Sequence, residues 1–305
     1  MRLLIFGGNG FIGRNLSREI SRSHEIISTD INFSQLNKIK KLDILDKEGV
    51  FKLIENFDPD VIINLAAKTD IDSKNLKDYS VNWQGSLNIC NSIIELNRKI
   101  FFIHFSSMLV CKMGHIPKNM NEFFPDTAYG ESKVKAEESL KKFKNYFPIL
   151  ILRPTTVWGK DAGKPYSTFI KLVSRFGWLK LSFFNSKRDF CHIDNLASLI
   201  TRIIDIKNNL ENDYFKKFYI SDRKKQSVND LAFRISEEHN SLFISLPFLD
   251  FLIKIFLHFL ALIGDLLGFF GFKFFINSRR IRNMKTNTNL PVKDLFEELN
   301  KIENK

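Results

Sequence analysis

The first thirty residues constrain the fold of this chain more than any other segment. The run "RLLIF" is short and continuously apolar, which is typical of a parallel strand covered on both faces. A glycine-rich turn, "GGNGFIG", follows directly, then a periodic segment, "FIGRNLSREI", and a second strand, "HEIISTD". Strand, glycine turn, helix and strand in this order predict the opening βαβ unit of a parallel sheet.

The glycines of this unit and the acid that ends it predict a dinucleotide site. Gly7, Gly10 and Gly13 have the spacing G-x-x-G-x-x-G, which lets backbone N–H groups and a helix N-terminus approach a diphosphate. Asp30 ends the second strand, where a carboxylate can accept a hydrogen bond from a ribose 2′-OH and would repel a 2′-phosphate. We therefore expect the cofactor to be NAD rather than NADP.

The alternation of strands and helices continues to about residue 155 and then stops. It predicts an α/β fold, a Rossmann-type doubly wound parallel sheet over residues 1–155. Residues 156–305 are expected to form a smaller, mostly helical substrate lobe, interleaved with the first domain. Ligands of such sheets bind at the carboxyl ends of the strands. The residues expected at those ends are Asp30, Ala66, Ala67, Ser106, Ser107 and Thr155.

The segment "YGESK" places Tyr129 one helical turn before Lys133. Lowering the pKa of a phenol by about three units requires about 4 kcal/mol. An ammonium about 4 Å away supplies about 1 kcal/mol in bulk water and about 4 kcal/mol at an effective dielectric of 20. The pair could therefore transfer protons in a partly desolvated cleft, beside a cationic nicotinamide. Tyr129 would exchange a proton with a substrate hydroxyl or carbonyl, and Ser107 would hold the same oxygen.

These motifs occur in the order found in one enzyme family. "GGNGFIG", Asp30, "NLAA", "FSSMLVC", "YGESK", "LRPTTVWG" and "RDFCHIDNLA" resemble the extended short-chain dehydrogenases/reductases of the NAD-dependent epimerase/dehydratase family. The resemblance implies Ser107, Tyr129 and Lys133 as catalytic residues, a nucleotide-sugar substrate and a homodimer. By position it implies cofactor contacts from Gly7, Gly10, Phe11, Ile12, Gly13, Asp30, Asp43, Ile44, Leu65, Ala66, Ala67, Asn82, Tyr129 and Lys133, and substrate contacts from Ser107, Thr156 and Arg188.

Departures from the family pattern narrow the expected chemistry. Dehydratases of the family carry Asp-Glu after the catalytic Ser/Thr, and decarboxylases carry a Glu, but this chain has Met108 and Leu109. What remains is a nucleotide-sugar 4-epimerase or 4-keto-sugar reductase, serving polysaccharide biosynthesis. Cys111 and Thr156 replace the usual Tyr and Asn in substrate-facing segments, which leaves the sugar open. Two alternatives are a hydroxysteroid-dehydrogenase-like or polyprenol-linked-sugar oxidoreductase at a membrane, and a non-catalytic cofactor-binding regulator.

Composition and charge limit the classes of partner that we expect for this protein. The formal charge of +12 comes from lysines spread over predicted solvated helix faces, and no nucleic-acid-binding signature accompanies them. We expect no nucleic-acid partner, whereas anionic phosphates on a small substrate or on lipid headgroups suit this charge. The three cysteines are widely spaced, so we expect neither a disulfide framework nor a metal site, and a cytoplasmic location.

An apolar stretch over residues 246–275 leaves its own role open. It contains few charged residues, and the basic cluster "NSRRIRNMK" follows it. At 100° per residue, Asp250, Lys254, His258 and Asp265 share one side, which is an amphipathic pattern. Three alternatives remain: a buried helical hairpin or dimer contact, a helix on a membrane surface with headgroup-binding arginines, and a membrane span. The second would give peripheral membrane contact through residues 246–285.

Overall fold

A computed structural model describes residues 1–34, 39–71, 73–163, 166–222, 224–270, 272, 274, 276–292 and 294–303. The strands are β1 (Arg2–Phe6), β2 (Glu25–Asp30), β3 (Ile39–Lys41), β4 (Val61–Asn64), β5 (Phe101–Phe105), β6 (Ile149–Pro154), β7 (Thr156–Trp158), β8 (Trp178–Lys180), β9 (Phe190–His192), β10 (Phe215–Ile220) and β11 (Phe243–Ser245). The helices are α1 (Phe11–Ile20), α2 (Lys47–Phe57), α3 (Val81–Glu95), α4 (Ala128–Leu140), α5 (Tyr166–Phe176), α6 (Ile193–Asp205), α7 (Val228–His239), α8 (Pro247–Phe269), α9 (Ser278–Lys285) and α10 (Asp294–Glu303).

Seven strands form one parallel sheet in the order β10-β6-β5-β4-β1-β2-β3. β1 lies between β2 on one side and β4 on the other, so the strand order reverses direction at this point. A crevice for ligands opens at the carboxyl ends of the strands beside such a reversal. The predicted Rossmann-type doubly wound sheet is confirmed.

The first strand shows why the sheet carries helices on both faces. Leu3 and Ile5 pack into a core cluster with residues of α1, α6 and α10, whereas Leu4 and Phe6 pack into a second cluster with α2 and α3. Successive side chains of a strand point to opposite faces, so a run with apolar residues at every position needs cover on both sides. The continuous "RLLIF" pattern is explained by this double burial.

The chain divides into two compact units whose boundaries differ from the predicted division at residue 155. The larger unit comprises residues 1–160, 191–223 and 290–305, and the smaller comprises 161–190 and 224–289. β10 belongs to the larger unit because it pairs with β6 along its whole length, as the outermost strand of the sheet. α6 belongs there too, since it packs against α1. Sequence periodicity identified both elements, but only strand pairing and packing assign them to a unit.

The smaller unit has its own core and one exceptional helix. α5 and α7 enclose Val173, Ala232 and Ile235, and β8 pairs with β11. The apolar stretch forms α8, one helix over Pro247–Phe269, rather than a hairpin. Only 11% of its most apolar 18-residue window is buried, so the prediction of a buried hairpin is wrong. The helix is long and apolar enough to cross a membrane, but length and composition alone do not show that it does.

Candidate active site

The glycine-rich turn forms a close backbone cradle at the start of α1. Gly7 has a φ of +82°, and a Cβ there would lie 2.5 Å from the Ala66 backbone nitrogen. A Cβ on Gly13 would lie 2.5 Å from the Gly7 carbonyl oxygen. Neither position can carry a side chain, because each faces backbone. Gly10 caps α1 without a side-chain acceptor, and the first turn has no acid, so this helix terminus suits an anion.

A cleft of about 550 Å³ lies beside this turn, at the carboxyl ends of the strands of the larger unit. It brings together every predicted cofactor residue except Asn82. Its lining residues are Gly7, Gly10, Phe11, Ile12, Gly13, Asp30, Ile31, Leu42, Asp43, Ile44, Leu65, Ala66, Ala67, Lys68, Thr69, Val81, Phe105, Ser106, Tyr129, Lys133 and Pro154. Sequence reasoning missed Lys68 and Thr69, although they directly follow the "NLAA" motif at a strand end.

Asn82 acts behind the cleft wall. Its side-chain oxygen accepts from the Lys68 N–H at 2.8 Å, and its amide donates to the Lys68 carbonyl at 3.1 Å and to the Ser132 hydroxyl at 2.8 Å. The Ser132 hydroxyl in turn donates to the Tyr129 carbonyl at 2.6 Å. One buried amide therefore ties the loop after β4 to the first turn of α4. In the cofactor-free protein Asn82 positions the wall that the cofactor would contact.

Asp30 occupies the position expected for ribose recognition. Its carboxylate accepts from the Asn9 N–H at 3.2 Å and from the Asn32 N–H at 3.0 Å, so the backbone on both sides orients it. A carboxylate has about four lone-pair sites, and these two bonds leave acceptor capacity toward the cleft. Together with the glycine cradle, this carboxylate fits an NAD adenosine half.

Replacing Asp30 with asparagine tests this assignment. We expect NAD affinity to fall about tenfold or more and discrimination against NADP to shrink, because a charged acceptor is lost and the 2′-phosphate is no longer repelled. The Asn9 and Asn32 N–H groups donate to different carboxylate oxygens, so asparagine can keep only one of these two bonds. Calorimetric titration with both dinucleotides measures the effect. Glu25→Gln, at the opposite end of β2 and exposed, is the matched control and should leave both affinities unchanged.

Tyr129 and Lys133 lie on the buried first turns of α4. Thr127 caps the start of this helix, because its hydroxyl accepts a hydrogen bond from the Gly130 N–H at 3.0 Å. Tyr129 is 8% exposed and Lys133 is 3% exposed. The Lys133 ammonium donates to the Phe105 carbonyl at 2.8 Å and lies 6.0 Å from the Tyr129 ring centre. Packing thus holds the predicted pair on one face of the helix, next to the end of β5.

Ser107 completes the predicted triad. Its side chain lies near the Tyr129 phenol and acts to lower the pKa of that phenol. The Ser107 hydroxyl also accepts from the Leu109 N–H at 3.1 Å. Because a serine hydroxyl has one proton to donate, the Leu109 bond leaves that proton for Tyr129 or for a substrate oxygen. Tyr129 and Lys133 line the cleft, and Ser107 directly follows Ser106, which also lines it.

The protonation states differ from the sequence-based expectation. Burial raises the pKa of Tyr129 to about 12, although the Ser107 side chain opposes this rise. Burial also lowers the pKa of Lys133 to about 8, and Glu137 partly offsets that shift. Desolvation of the phenolate therefore outweighs the opposing effect of the Ser107 side chain on the pKa of Tyr129. The protonated phenol can therefore donate its proton, and it needs a nearby positive charge before it can act as a base.

The lowered pKa of Lys133 predicts a pH-dependent stability. Between about pH 8 and the ordinary lysine value of 10.5, the folded protein binds fewer protons than the unfolded chain, so stability rises with pH. From pH 8 to pH 10 we expect wild type to gain about 2 kcal/mol relative to Lys133→Met. Urea unfolding of both cofactor-free proteins at the two pH values measures the difference. Equal changes in both proteins would contradict the assignment.

Two buried groups near the triad were not anticipated from the sequence. His104 on β5 is 1% exposed, and burial together with the nearby Lys133 lowers its pKa well below the usual value. Its Nδ1 lies 3.4 Å from the Ser86 hydroxyl. Glu137, one turn after Lys133, receives hydrogen bonds from Ser106 at 2.6 Å and from Arg153 at 2.8 and 2.7 Å. In the sequence, Glu137 follows Tyr129 and Lys133 at the same four-residue spacing, and this spacing could have identified Glu137 as a neighbour of the pair.

The remaining substrate candidates are placed as follows. Thr156 lies in β7 of the larger unit, half-buried. Arg188 lies in the smaller unit, where its guanidinium donates to the Asn283 carbonyl and burial lowers its pKa. Cys111 is buried, and its thiol donates to the Glu122 carbonyl at 3.5 Å, which suits a structural role. His192 caps α6 by accepting from the Asp194 N–H at 3.4 Å.

Comparisons with known proteins agree with the site. A GDP-6-deoxy-D-talose 4-dehydrogenase of Aggregatibacter actinomycetemcomitans is 29% identical over 217 residues, 67% of this chain and 70% of that protein. A UDP-glucose 4-epimerase of Vibrio cholerae is 27% identical over 224 residues, 67% and 66% of the two chains. The structure of a UDP-glucuronic acid 4-epimerase from Bacillus cereus in complex with NAD matches with a TM-score of 0.66 and 20% identity, covering 80% of this chain and 87% of that one.

The fold and the Ser-Tyr-Lys site define an NAD-dependent enzyme of the extended short-chain dehydrogenase/reductase type. Its relatives are sugar-nucleotide 4-epimerases and 4-position oxidoreductases. Residues 3–215 match the model of the NAD dependent epimerase/dehydratase family. The chain belongs to this family.

Proposed function

We propose that this enzyme transfers hydride at C4 of a nucleotide sugar, as a 4-epimerase or a 4-keto-sugar reductase. The observation that carries the proposal is the pair of buried side chains Tyr129 and Lys133, one helical turn apart, which line the cleft beside the glycine cradle. NAD, when bound, supplies the hydride acceptor and donor. The residues present supply the proton and orient the reacting oxygen.

Tyr129 is the proposed general acid and base. With its pKa raised by burial, the phenol can donate its proton to a sugar oxygen during reduction of a ketone. In the oxidative direction the phenol must first be made more acidic. Lys133 lies close enough to contribute, and the positive charge of an oxidised nicotinamide adds to it. Ser107 would hold the same oxygen through its remaining hydrogen-bonding capacity.

Substrate recognition by Thr156 and Arg188 is part of the proposal. Arginine binds diphosphates through a rigid fork of donors, and Arg188 is a half-buried guanidinium in the smaller unit. We propose that it contacts the substrate diphosphate. Met108 and Leu109 follow Ser107, so the chain has no acid at the position where dehydratases of the family eliminate water.

Product analysis separates the two candidate activities. The purified enzyme is incubated with UDP-, GDP- and dTDP-sugars and their 4-keto derivatives, and NADH is followed at the same time. Product formation with catalytic NAD and no net NADH change supports an epimerase. One NADH consumed for each product supports a reductase. Dinucleotide binding without turnover of any of these sugars would overturn the proposal and leave a cofactor-binding regulator.

The finer partner predictions are also proposals. The dehydrogenase of Aggregatibacter actinomycetemcomitans and the epimerase of Vibrio cholerae act on nucleotide sugars by their names, so a hydroxysteroid-dehydrogenase-like activity is not favoured. Homodimerisation and a cytoplasmic location rest on resemblance to the family. The proposal of peripheral membrane contact through residues 246–285 rests on the exposed apolar side chains of α8 and the basic residues of α9.

A further inference from the structure

The smaller unit presents a continuous apolar stripe along α8. Its residues are spaced alternately four and three apart, so they line one side of the helix. Each is between 54% and 75% exposed, and the stripe runs along about five turns of a helix about 35 Å long. The members of this α8 stripe are Phe248, Leu252, Ile255, Phe259, Leu262 and Leu266. Exposed apolar patches of this extent mark interaction surfaces in folded proteins.

The opposite side of α8 is attached to its own unit. Leu257 and Ala261 pack with Ile281 of α9 in a small core cluster. The Asp250 carboxylate accepts from the Ser182 N–H at 3.0 Å and from its hydroxyl at 2.5 Å, and Asp265 accepts from the Ser278 N–H at 3.2 Å. These contacts run from the first turn to the last turns of the helix. A membrane-spanning arrangement would break them, so the helix lies along the surface of the unit.

Charge identifies the partner surface. α9, which packs against α8, contains four basic residues and no acid, and Arg280 and Arg282 are exposed. The smaller unit as a whole has 15 lysine and arginine residues against seven aspartates and glutamates. Two such units would repel each other, which disfavours self-association through the stripe. An apolar stripe with nearby cations matches an anionic lipid bilayer.

We propose that the α8 stripe docks this enzyme on the surface of an anionic bilayer. The apolar side chains of the stripe enter the boundary between headgroups and acyl chains, and the arginines of α9 attract the headgroup phosphates. The helix lies in the plane of the membrane and remains packed on the smaller unit. This inference goes beyond the proposed activity, because it concerns where the enzyme works and not which bond it changes.

Vesicle flotation of the purified full chain tests the docking. Wild type is expected to float with vesicles containing phosphatidylglycerol and to bind pure phosphatidylcholine vesicles at least about tenfold more weakly. Phe248→Ser with Phe259→Ser, two members of the stripe, should weaken binding to both vesicles about tenfold or more, because exposed apolar area is removed. The matched control, Phe33→Ser with Phe176→Ser, removes two other exposed phenylalanines and should bind as wild type does.

A second variant and its matched control test the contribution of the α9 arginines to binding. Arg280→Gln with Arg282→Gln should reduce binding to anionic vesicles about tenfold and leave binding to neutral vesicles unchanged. Lys142→Gln with Lys144→Gln removes the same charge from an exposed segment of the larger unit and should change neither. Absence of wild-type flotation on anionic vesicles would overturn the proposal. So would analytical ultracentrifugation showing an oligomer that the Phe248/Phe259 variant abolishes while vesicle binding is unchanged.

Discussion

Replacing Tyr129 with phenylalanine is expected to lower kcat by about 10²–10⁴-fold while dinucleotide binding is retained. The substitution removes only the phenolic oxygen that would exchange a proton with the sugar. The ring stays in its buried cluster, where it packs against Tyr79 with ring centres 6.1 Å apart. Steady-state assays with the substrate found by product analysis give kcat, and calorimetry gives the dinucleotide affinity.

Tyr79→Phe is the matched control for this variant. Tyr79 is fully buried beside Tyr129, and its phenol donates to Asp70 at 3.3 Å and to the Ser73 carbonyl at 3.4 Å. It does not line the cleft described above. We expect its kcat to equal that of wild type. A Tyr129→Phe enzyme with wild-type kcat would remove the phenol from the mechanism, whereas equal losses in both variants would point to disturbed packing.

Replacing Glu137 with glutamine is expected to destabilise the protein by about 3–5 kcal/mol. The Glu137 carboxylate is fully buried between Arg153, at 2.7 Å, and Lys217, at 3.3 Å. Arg153 is itself inaccessible to solvent and also donates to the Tyr219 phenol at 3.2 Å. An amide keeps the shape of the carboxylate but leaves two buried cations without a counter-charge. Desolvated charges without a partner are among the costliest changes in a core.

The neighbouring Glu138→Gln variant is the control for charge and helix position. Glu138 pairs with Lys141 at 2.7 Å at a largely exposed site, and such surface pairs contribute at most about 1 kcal/mol. Urea unfolding followed by circular dichroism should therefore separate the two variants clearly. If Glu137→Gln is no less stable than Glu138→Gln, the buried cluster does not hold the sheet and α4 together.

Local periodicity was sufficient for most of the fold. β1, α1 and β6 have the bounds that their apolar patterns predict, because a strand covered on both faces and a one-sided helix each impose a distinct spacing. The cofactor cleft followed as well, since the strand-end positions of a parallel sheet converge at one edge. Asp30 and the glycines could be assigned because their roles depend on local backbone geometry.

Other features depend on contacts between residues far apart in the chain. The partners of Glu137 on β6 and β10 lie 16 and 80 positions away, and no local pattern links them. The sequence also could not show that desolvation dominates the pKa of Tyr129, because the cost of desolvation depends on how deeply α4 is buried. The apolar pattern of residues 246–275 left open a buried hairpin or dimer contact, a surface helix and a span.

The sequence alone therefore determined the parallel sheet and the cofactor type, and it predicted the Ser107, Tyr129 and Lys133 group, because local spacing along the chain encodes each of them. The tertiary structure decided which segments join the larger unit, which ionisable groups lose their water, and that the α8 stripe faces outward. Burial is a property of the assembled molecule, so desolvation and exposure become visible only when distant segments have packed.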